Sequence, residues 1–115
     1  MGELGRGKKP DSGAVRRAAA LRAVEELIET VLAEGPRNSA LQGYMVLRDI
    51  RVILTDPARS DTEALAEGAL VFRELRPPRG FGEWYIHRDD EAERIALNAR
   101  FSAVEDLLAL ALESS

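Results

Sequence analysis

The sequence contains no cysteine among its 115 residues. Disulfide bonds, thiolate nucleophiles and cysteine-based zinc sites are therefore excluded. Aromatic residues make up only 5 % of the chain, with one tryptophan, and there is one histidine. A core built under these limits comes from Leu, Ile, Val and Ala side chains, which favours helices packed on helices over a β-sandwich.

Long apolar runs are also missing. No stretch of about 18 apolar residues occurs, so the sequence predicts no membrane-spanning helix and no membrane partner. The basic residues near the start are not followed by an apolar segment, which is unlike a secretory signal. The length and the ordinary balance of 45 % hydrophobic and 31 % charged residues fit one folded domain. We therefore expect a single-domain cytoplasmic protein.

The net charge of −4 is unevenly spread along the chain. Residues 1–22 carry six basic and two acidic side chains, a balance of +4, whereas the remainder carries ten basic and eighteen acidic ones, a balance of −8. A folded body with a net charge of −8 repels phosphate backbones. The sequence therefore predicts no nucleic-acid partner and favours a basic protein as the binding partner. The basic start is interpreted as a solvated tail, with contact to an anionic surface as the alternative.

Apolar periodicity predicts a first helix over residues 12–34, because Leu21, Val24 and Val31 recur at helical spacing with Leu27 or Ile28 between them. Gly35-Pro36 ends it. Arg22 and Glu26 are four residues apart and are expected to pair.

A second helix is predicted from Ser39 to the stop at Asp56-Pro57, although the β-branched run at 50–54 leaves a strand as the competing interpretation. Its main apolar face is Val46, Leu47, Ile50, Ile53 and Leu54. Leu41, Met45 and Val52 widen that stripe, so we expect this helix to be buried on two sides.

Ser60 and Glu63 form a capping-box pattern that starts a third helix near Asp61. Pro77-Pro78 ends it at Arg76. Its predicted inner face is Leu65, Gly68, Ala69, Phe72 and Leu75.

Asp90 and Glu93 start a fourth helix that runs to about Glu113. Its predicted inner face is Leu97, Phe101, Val104, Leu108 and Ala111. Its wider apolar positions indicate a central place in the fold or self-association; they are Ile95, Leu107, Leu110 and Leu112.

The predicted fold is thus an all-α antiparallel bundle of about four helices. Residues 1–11 are predicted to form a disordered leader, and residues 12–115 are predicted to form the single helical domain. An irregular Pro/Gly-rich elbow over residues 77–90 precedes the last helix, and a short strand or an extended segment is expected over 83–88.

The elbow carries the candidate binding residues. Phe81, Trp84 and Tyr85 are either partner anchors or the side chains that seal the open end of the bundle, and sealing is the favoured interpretation. Arg79 and Arg88, with Arg73 and Arg76, either line an anion-binding concavity or form salt bridges, and salt bridges to Glu74, Asp89 and Asp90 are favoured.

His87 lies among acidic residues, and imidazole and carboxylate groups can together form a metal site or an acid–base pair. One histidine without a second histidine or a cysteine does not make a zinc pattern, and the acidic residues suit the first turn of a helix. No nucleophile motif, phosphate loop or nucleotide fingerprint is present. We therefore predict no metal, no cofactor and no catalytic residue.

The elbow and the last helix resemble small all-helical bacterial proteins of unassigned function, some of which are taken to be immunity proteins that neutralise a neighbouring toxin. The resemblance covers about residues 65–112. It rests on five features of this sequence, namely Phe72-Arg73-Glu74-Leu75, Pro77-Pro78-Arg79-Gly80, Trp84-Tyr85-Ile86, Asp89-Asp90 and Asn98 before a Leu-rich helix. It departs at Phe81 and Glu83-Trp84, where a small polar pair is more usual. The resemblance implies a protein partner and no catalytic residues.

Three functions follow as expectations. The leading one is a non-enzymatic protein-binding module, immunity-like, with Arg79, Phe81, Trp84, Tyr85, His87, Arg88 and Asp89 at its partner-binding site. The alternative is a self-associating structural domain, a homodimer or larger homo-oligomer joined through the fourth or the second helix. The third is an anion or small-molecule binder at the Arg-lined elbow.

Overall fold

Four α-helices make up most of the computed structural model, which describes residues 12–35, 39–73 and 85–113. They are α1 (Ser12–Glu34), α2 (Ser39–Leu54), α3 (Asp61–Phe72) and α4 (Glu91–Glu113). The predicted all-α fold class is confirmed, and the β-branched run at 50–54 is helical. The predicted leader over 1–11, the predicted end of the third helix at Arg76 and elbow residues 77–84 lie outside the described residues.

Local signals in the sequence set three of the helix ends. The Ser60 hydroxyl accepts the Glu63 N–H at 3.1 Å while the Glu63 carboxylate accepts the Ser60 N–H at 2.9 Å, which completes the predicted capping box of α3. The Asp90 carboxylate accepts the Glu93 N–H at 2.7 Å and caps α4. Gly35 has a φ of 87°, and its N–H donates to the Val31 carbonyl at 3.0 Å to close α1.

Polar contacts between helix ends show that α1 runs antiparallel to both α2 and α4. Near the start of α1, the Arg17 guanidinium donates to the Leu54 carbonyl at the end of α2. The neighbouring Arg16 donates to the Ala111 carbonyl near the end of α4. In the described ranges α1 packs against the other three helices, whereas α2 and α4 are not neighbours of each other. These two helices therefore occupy opposite sides of the bundle.

The core is apolar and draws on every helix. Within the described residues it closely follows the predicted inner faces, with Leu21, Ile53 and Leu97 only half buried at its edge. Leu75 of the predicted third face lies outside the described residues. The fully buried large side chains are Val24, Leu27, Val31, Leu47, Ile50, Ile86, Val104 and Leu108. Gly68 marks a close approach of α3 to α4, because a Cβ there would lie 3.0 Å from Leu112 Cδ2.

The prediction that α2 is buried on two sides is wrong. Leu41, Met45 and Val52 are 50 %, 52 % and 63 % exposed. The physical reason is that α2 packs only against α1 and α3 within the described residues, so its opposite face has no helix to cover it. Only one of the four residues predicted to widen the apolar face of α4 is buried. Leu112 lies in the core, whereas Ile95, Leu107 and Leu110 are exposed.

Two arginines of the basic start belong to the folded body and not to a tail. Arg16 donates to the Ala111 and Leu112 carbonyls at the end of α4. Arg17 donates to Leu54 at the end of α2. The last carbonyls of a helix lack intrahelical partners and carry partial negative charge, so a guanidinium stabilises them. Part of the basic charge of residues 1–22 is therefore used inside the fold.

In the described part of the chain no helix is long and apolar enough to cross a membrane.

Candidate protein-binding surfaces

The described part of the elbow is fastened to α4 by the side chain of Asn98. Its Oδ1 accepts the Ile86 N–H at 2.9 Å, and its Nδ2 donates to the Ile86 carbonyl at 2.9 Å. The same amide group donates to the Arg94 carbonyl one turn earlier, at 2.8 Å. Residues Tyr85 to Arg88 adopt no regular secondary structure. The side chain of Asn98 thus takes the role that a neighbouring strand would have, while the Ile86 side chain, 2 % exposed, enters the core.

Burial of Ile86 fixes which way its neighbours face. Tyr85 and His87 are both exposed, and their ring centroids lie 4.3 Å apart with the rings tilted by 36°. An aromatic side chain held against a second ring in solvent is a preformed contact surface, because little rotamer freedom remains to be lost on binding. Two of the predicted partner-binding residues are therefore together and accessible.

Arg88 has a structural role. Its two terminal nitrogens donate to the two carboxylate oxygens of Glu34 at 2.9 and 2.7 Å, and Glu93 lies 3.5 Å from its Nε. The hydrogen bond from Arg88, opposed by partial burial, lowers the pKa of the Glu34 carboxyl. Arg88 joins the end of α1 to the start of α4, and its fork is already occupied and not open to an anion.

The salt bridges favoured for Arg88 from the sequence are not the ones that form. Asp89 is exposed and Asp90 caps α4, so neither carboxylate pairs with Arg88. The physical reason is that Glu34, distant in the sequence, presents both of its oxygens to the guanidinium at the end of α1.

The seven predicted partner-binding residues therefore fall into three groups. Tyr85, His87 and Asp89 are exposed. Arg88 is half buried and paired. Arg79, Phe81 and Trp84 lie outside the described residues.

A second accessible surface lies on α2. We call Leu41, Met45, Arg48 and Val52 the outer α2 face. Spacings of four, three and four residues place all four side chains in one row along the helix. The Arg48 guanidinium lies 5.8 Å from the centre of the Tyr44 ring at the edge of this row. The three apolar residues of this face stand out in the sequence, but their periodicity assigned them to the core.

The seam between α1 and α4 differs from the prediction at Glu26. Arg100 donates to both Glu26 carboxylate oxygens at 2.7 and 2.8 Å, which lowers the pKa of the Glu26 carboxyl. The expected pairing of Glu26 with Arg22 within α1 is replaced by this contact between helices. Beside it lies a groove of 390 Å³ lined by Ala19, Arg22, Ala23, Glu26, Arg100, Val104 and Leu107.

Chemical groups suited to catalysis are not gathered in the described ranges. No group of three or more His, Asp or Glu side chains is placed to hold a metal ion there. Among the described carboxyls, Glu105 has a raised pKa: burial, with a smaller contribution from the neighbouring Asp106 charge, raises it to about 7. One acid with a raised pKa on a bundle helix supplies neither a nucleophile nor a positioned substrate.

Comparisons of the chain with protein-family models, with curated proteins and with solved structures found no significant match. The function is therefore inferred from the geometry of the molecule.

Proposed function

We propose that this chain is a non-enzymatic protein-binding module that holds a helix of its partner along the outer α2 face. The observation that carries the proposal is the row of Leu41, Met45 and Val52, each at least half exposed. Single exposed apolar residues are ordinary, but a contiguous row of them is typical of an interaction site.

The composition of this face suits an interface. Methionine, tyrosine and arginine are enriched at protein–protein contacts, and all three occur here at Met45, Tyr44 and Arg48. Met45 has three flexible torsions and adapts to the surface of a partner. Arg48 is held near the Tyr44 ring before any partner arrives, so its ordering costs little on binding.

The length of the row points to a helical partner. From Leu41 to Val52 it runs for about 16 Å, or roughly three helical turns. A partner helix with apolar side chains at every third and fourth position matches such a row, with Val52 at one end of it and Leu41 at the other. A basic partner is favoured because residues 23–115 carry eighteen acidic and ten basic side chains, and complementary charge speeds association.

An immunity-like inhibitor of a basic toxin in the cytoplasm is the specific form of this function that we favour. The acidic body, the small helical fold and the exposed apolar row support it. Tyr85 and His87 provide a second contact for a partner that reaches the elbow end of the bundle.

Site-specific photocrosslinking in the source cell tests the surface directly. A photoreactive amino acid at position 45 is expected to capture a partner, and the same group at exposed Leu70 on α3 is the matched control. The captured protein is then purified and titrated calorimetrically against the wild type, Met45→Glu, Leu70→Glu and Tyr85→Ala.

A charge in the centre of an apolar contact is expected to weaken binding by about tenfold or more in Met45→Glu. Leu70→Glu is expected to bind like the wild type. Equal affinities for these two variants would remove the outer α2 face from the proposal, and a loss confined to Tyr85→Ala would move the site to the elbow.

A further inference from the structure

The solvent side of α4 is unusual for a surface helix. We call Ala92, Ala96, Ala99, Ala103, Leu107 and Leu110 the outer α4 face. All six are exposed, and the two leucines are 53 % and 63 % exposed. At about 100° per residue these positions fall within an arc of roughly 80°, on the side away from buried Phe101 and Leu108. A solvent-facing stripe is normally charged, but this one carries no charge over about five turns.

The order of residue sizes along this face is self-complementary. Alanines occupy its first part and leucines its last part. If two copies of α4 cross antiparallel about Ala103, Leu110 of one chain meets Ala96 of the other, and Leu107 meets Ala99. Each large side chain then faces a small one. A parallel pair would place leucine on leucine at one end and alanine on alanine at the other, which leaves an uneven separation between the helices.

From this pattern we infer that the chain forms a two-fold symmetric, antiparallel homodimer through the outer α4 face. The same patch is used by both copies, as an isologous contact requires. Antiparallel alignment also sets the positive end of each helix dipole beside the negative end of the other. Two charged residues border the face. The guanidinium of Arg100 is already neutralised by Glu26 of its own chain, and exposed Asp106 lies just outside the opposite edge.

The size of the contact sets its strength. The face is about 27 Å long and one helix diameter of ~11 Å wide, so α4 alone offers roughly 300 Å² per chain. A stable interface needs about 800 Å² per partner. Ala19 of α1, which lines the groove beside Leu107, widens the surface. The dimer is therefore expected to be weak and reversible.

The dimer is compatible with the proposed function but does not rest on it. Because α2 and α4 lie on opposite sides of the described bundle, self-association leaves both outer α2 faces accessible. The dimer presents two partner sites, so a partner with two copies of the target helix binds it more tightly than it binds the monomer.

Charge-complementary variants test both the interface and its direction. Analytical ultracentrifugation of the full chain from about 1 to about 500 μM is expected to show a monomer–dimer equilibrium. Ala96→Glu and Leu110→Lys place charges at positions that face each other only in the antiparallel pair. Each variant alone is expected to weaken the dimer by about tenfold or more. Circular dichroism confirms that each remains folded, and Leu70→Lys, at an exposed position on α3 outside both proposed surfaces, is expected to dimerise like the wild type.

Mixing Ala96→Glu with Leu110→Lys is the decisive step. In a mixed antiparallel dimer the introduced carboxylate at position 96 meets the introduced ammonium at position 110. The symmetry-related contact at the other end of the interface keeps the natural pair of Leu110 and Ala96. The mixture is therefore expected to dimerise more strongly than either variant alone. In a parallel dimer positions 96 and 110 each face their own counterpart, and the introduced charges do not meet.

Three results would each overturn the inference. They are a wild type that stays monomeric over the whole concentration range, single variants that dimerise as well as the wild type, and a mixture in which dimerisation does not recover.

Discussion

At the residue scale, Arg17 shows how one side chain can organise the end of a bundle. Its guanidinium donates to the Leu54 carbonyl at 2.9 Å, the Asp56 carbonyl at 2.7 Å, the Arg59 carbonyl at 2.9 Å and the Asp61 carboxylate at 3.1 Å. Arg17 thereby closes α2, fixes the turn and holds the start of α3, while only 17 % of its side chain is exposed. A lysine has no planar fork and cannot reproduce this set of contacts.

Replacing Arg17 by methionine is therefore expected to lower the free energy of unfolding by about 2–3 kcal/mol, because several partly buried acceptors lose their donor. Arg17→Lys is expected to recover only part of the loss. Urea unfolding followed by circular dichroism measures both. Arg94→Met is the matched control, since the guanidinium of Arg94 makes a 3.8 Å contact with exposed Glu91 and its replacement should change the free energy by less than about 0.5 kcal/mol. Equal losses at positions 17 and 94 would contradict this role.

The role of Arg17 could not be predicted from the sequence for a physical reason. Periodicity reports which residues avoid water, and a basic residue near the start of a helix looks the same whether it is solvated or caps another helix. The same limit applied to Glu26, whose partner Arg100 is 74 positions away and outside any local rule. Such partners depend on which helices lie side by side, and that arrangement was not predicted.

At the element scale, the helices were predicted well because their signals are local. The capping pairs Ser60 with Glu63 and Asp90 with Glu93, and the glycine at 35, act within four residues of the boundary that they set. Apolar periodicity wrongly assigns the outward side of α2 to the core. For the outward side of α4 it predicts either a central place in the fold or self-association. Apolar periodicity marks every apolar stripe as a candidate core, and the number of neighbouring helices decides which stripe is covered.

The junction between the elbow and α4 depends on Asn98. Ile86 is buried outside any helix, and its N–H and carbonyl both bond to the Asn98 amide. In Asn98→Ala these buried groups lose their partners, so the free energy of unfolding is expected to fall by about 1–3 kcal/mol. In Asn98→Asp a carboxylate oxygen replaces the donor opposite the Ile86 and Arg94 carbonyls, and the loss is expected to be at least as large. Urea unfolding measures both losses.

Amide hydrogen exchange at Ile86 separates this junction from global stability. In both Asn98 variants exchange at Ile86 is expected to speed up more than at Val104 and Leu108, which are fully buried on α4. Ser102→Ala, an exposed change on the same helix, is the control and should leave all three amides as they are in the wild type. Unchanged exchange at Ile86 in Asn98→Ala would show that the junction is held by other contacts.

At the scale of the whole molecule, the bundle carries titrating groups with opposite effects on stability. The hydrogen bonds from Arg100 and Arg88 lower the pKa values of Glu26 and Glu34, so these groups bind protons less readily in the folded state. Their stabilisation is present above the ordinary glutamate pKa and is lost as the pH falls through the lowered values. Since both pairs hold the C-terminal part of the chain against α1, acid weakens that seam at two points.

The titration of Glu105 has the opposite effect, because it lowers the stability of the fold as the pH rises. Burial first, and the Asp106 charge second, raise its pKa to about 7, so the folded protein retains a proton that the unfolded chain releases above the ordinary value of 4.5. The free energy of unfolding should therefore decrease as the pH rises from about 4.5 to about 7, and the contribution of this group should stay level above that range. Allowing for partial exposure, the decrease is expected to be about 1–2 kcal/mol.

Glu105→Gln removes this titration because the amide is neutral at every pH. The variant is expected to match the wild type near a pH of about 4.5 and to exceed it by about 1–2 kcal/mol at a pH of about 8. Chemical unfolding across this pH range measures the difference, and Glu29→Gln, an exposed change on α1, controls for the loss of one negative charge. If the Glu29 variant gains as much as the Glu105 variant, the effect belongs to the net acidic charge of the molecule. If only Glu105→Gln gains, the bundle holds one carboxyl whose charge opposes folding, and deprotonation of that single group weakens the molecule as the pH approaches neutrality.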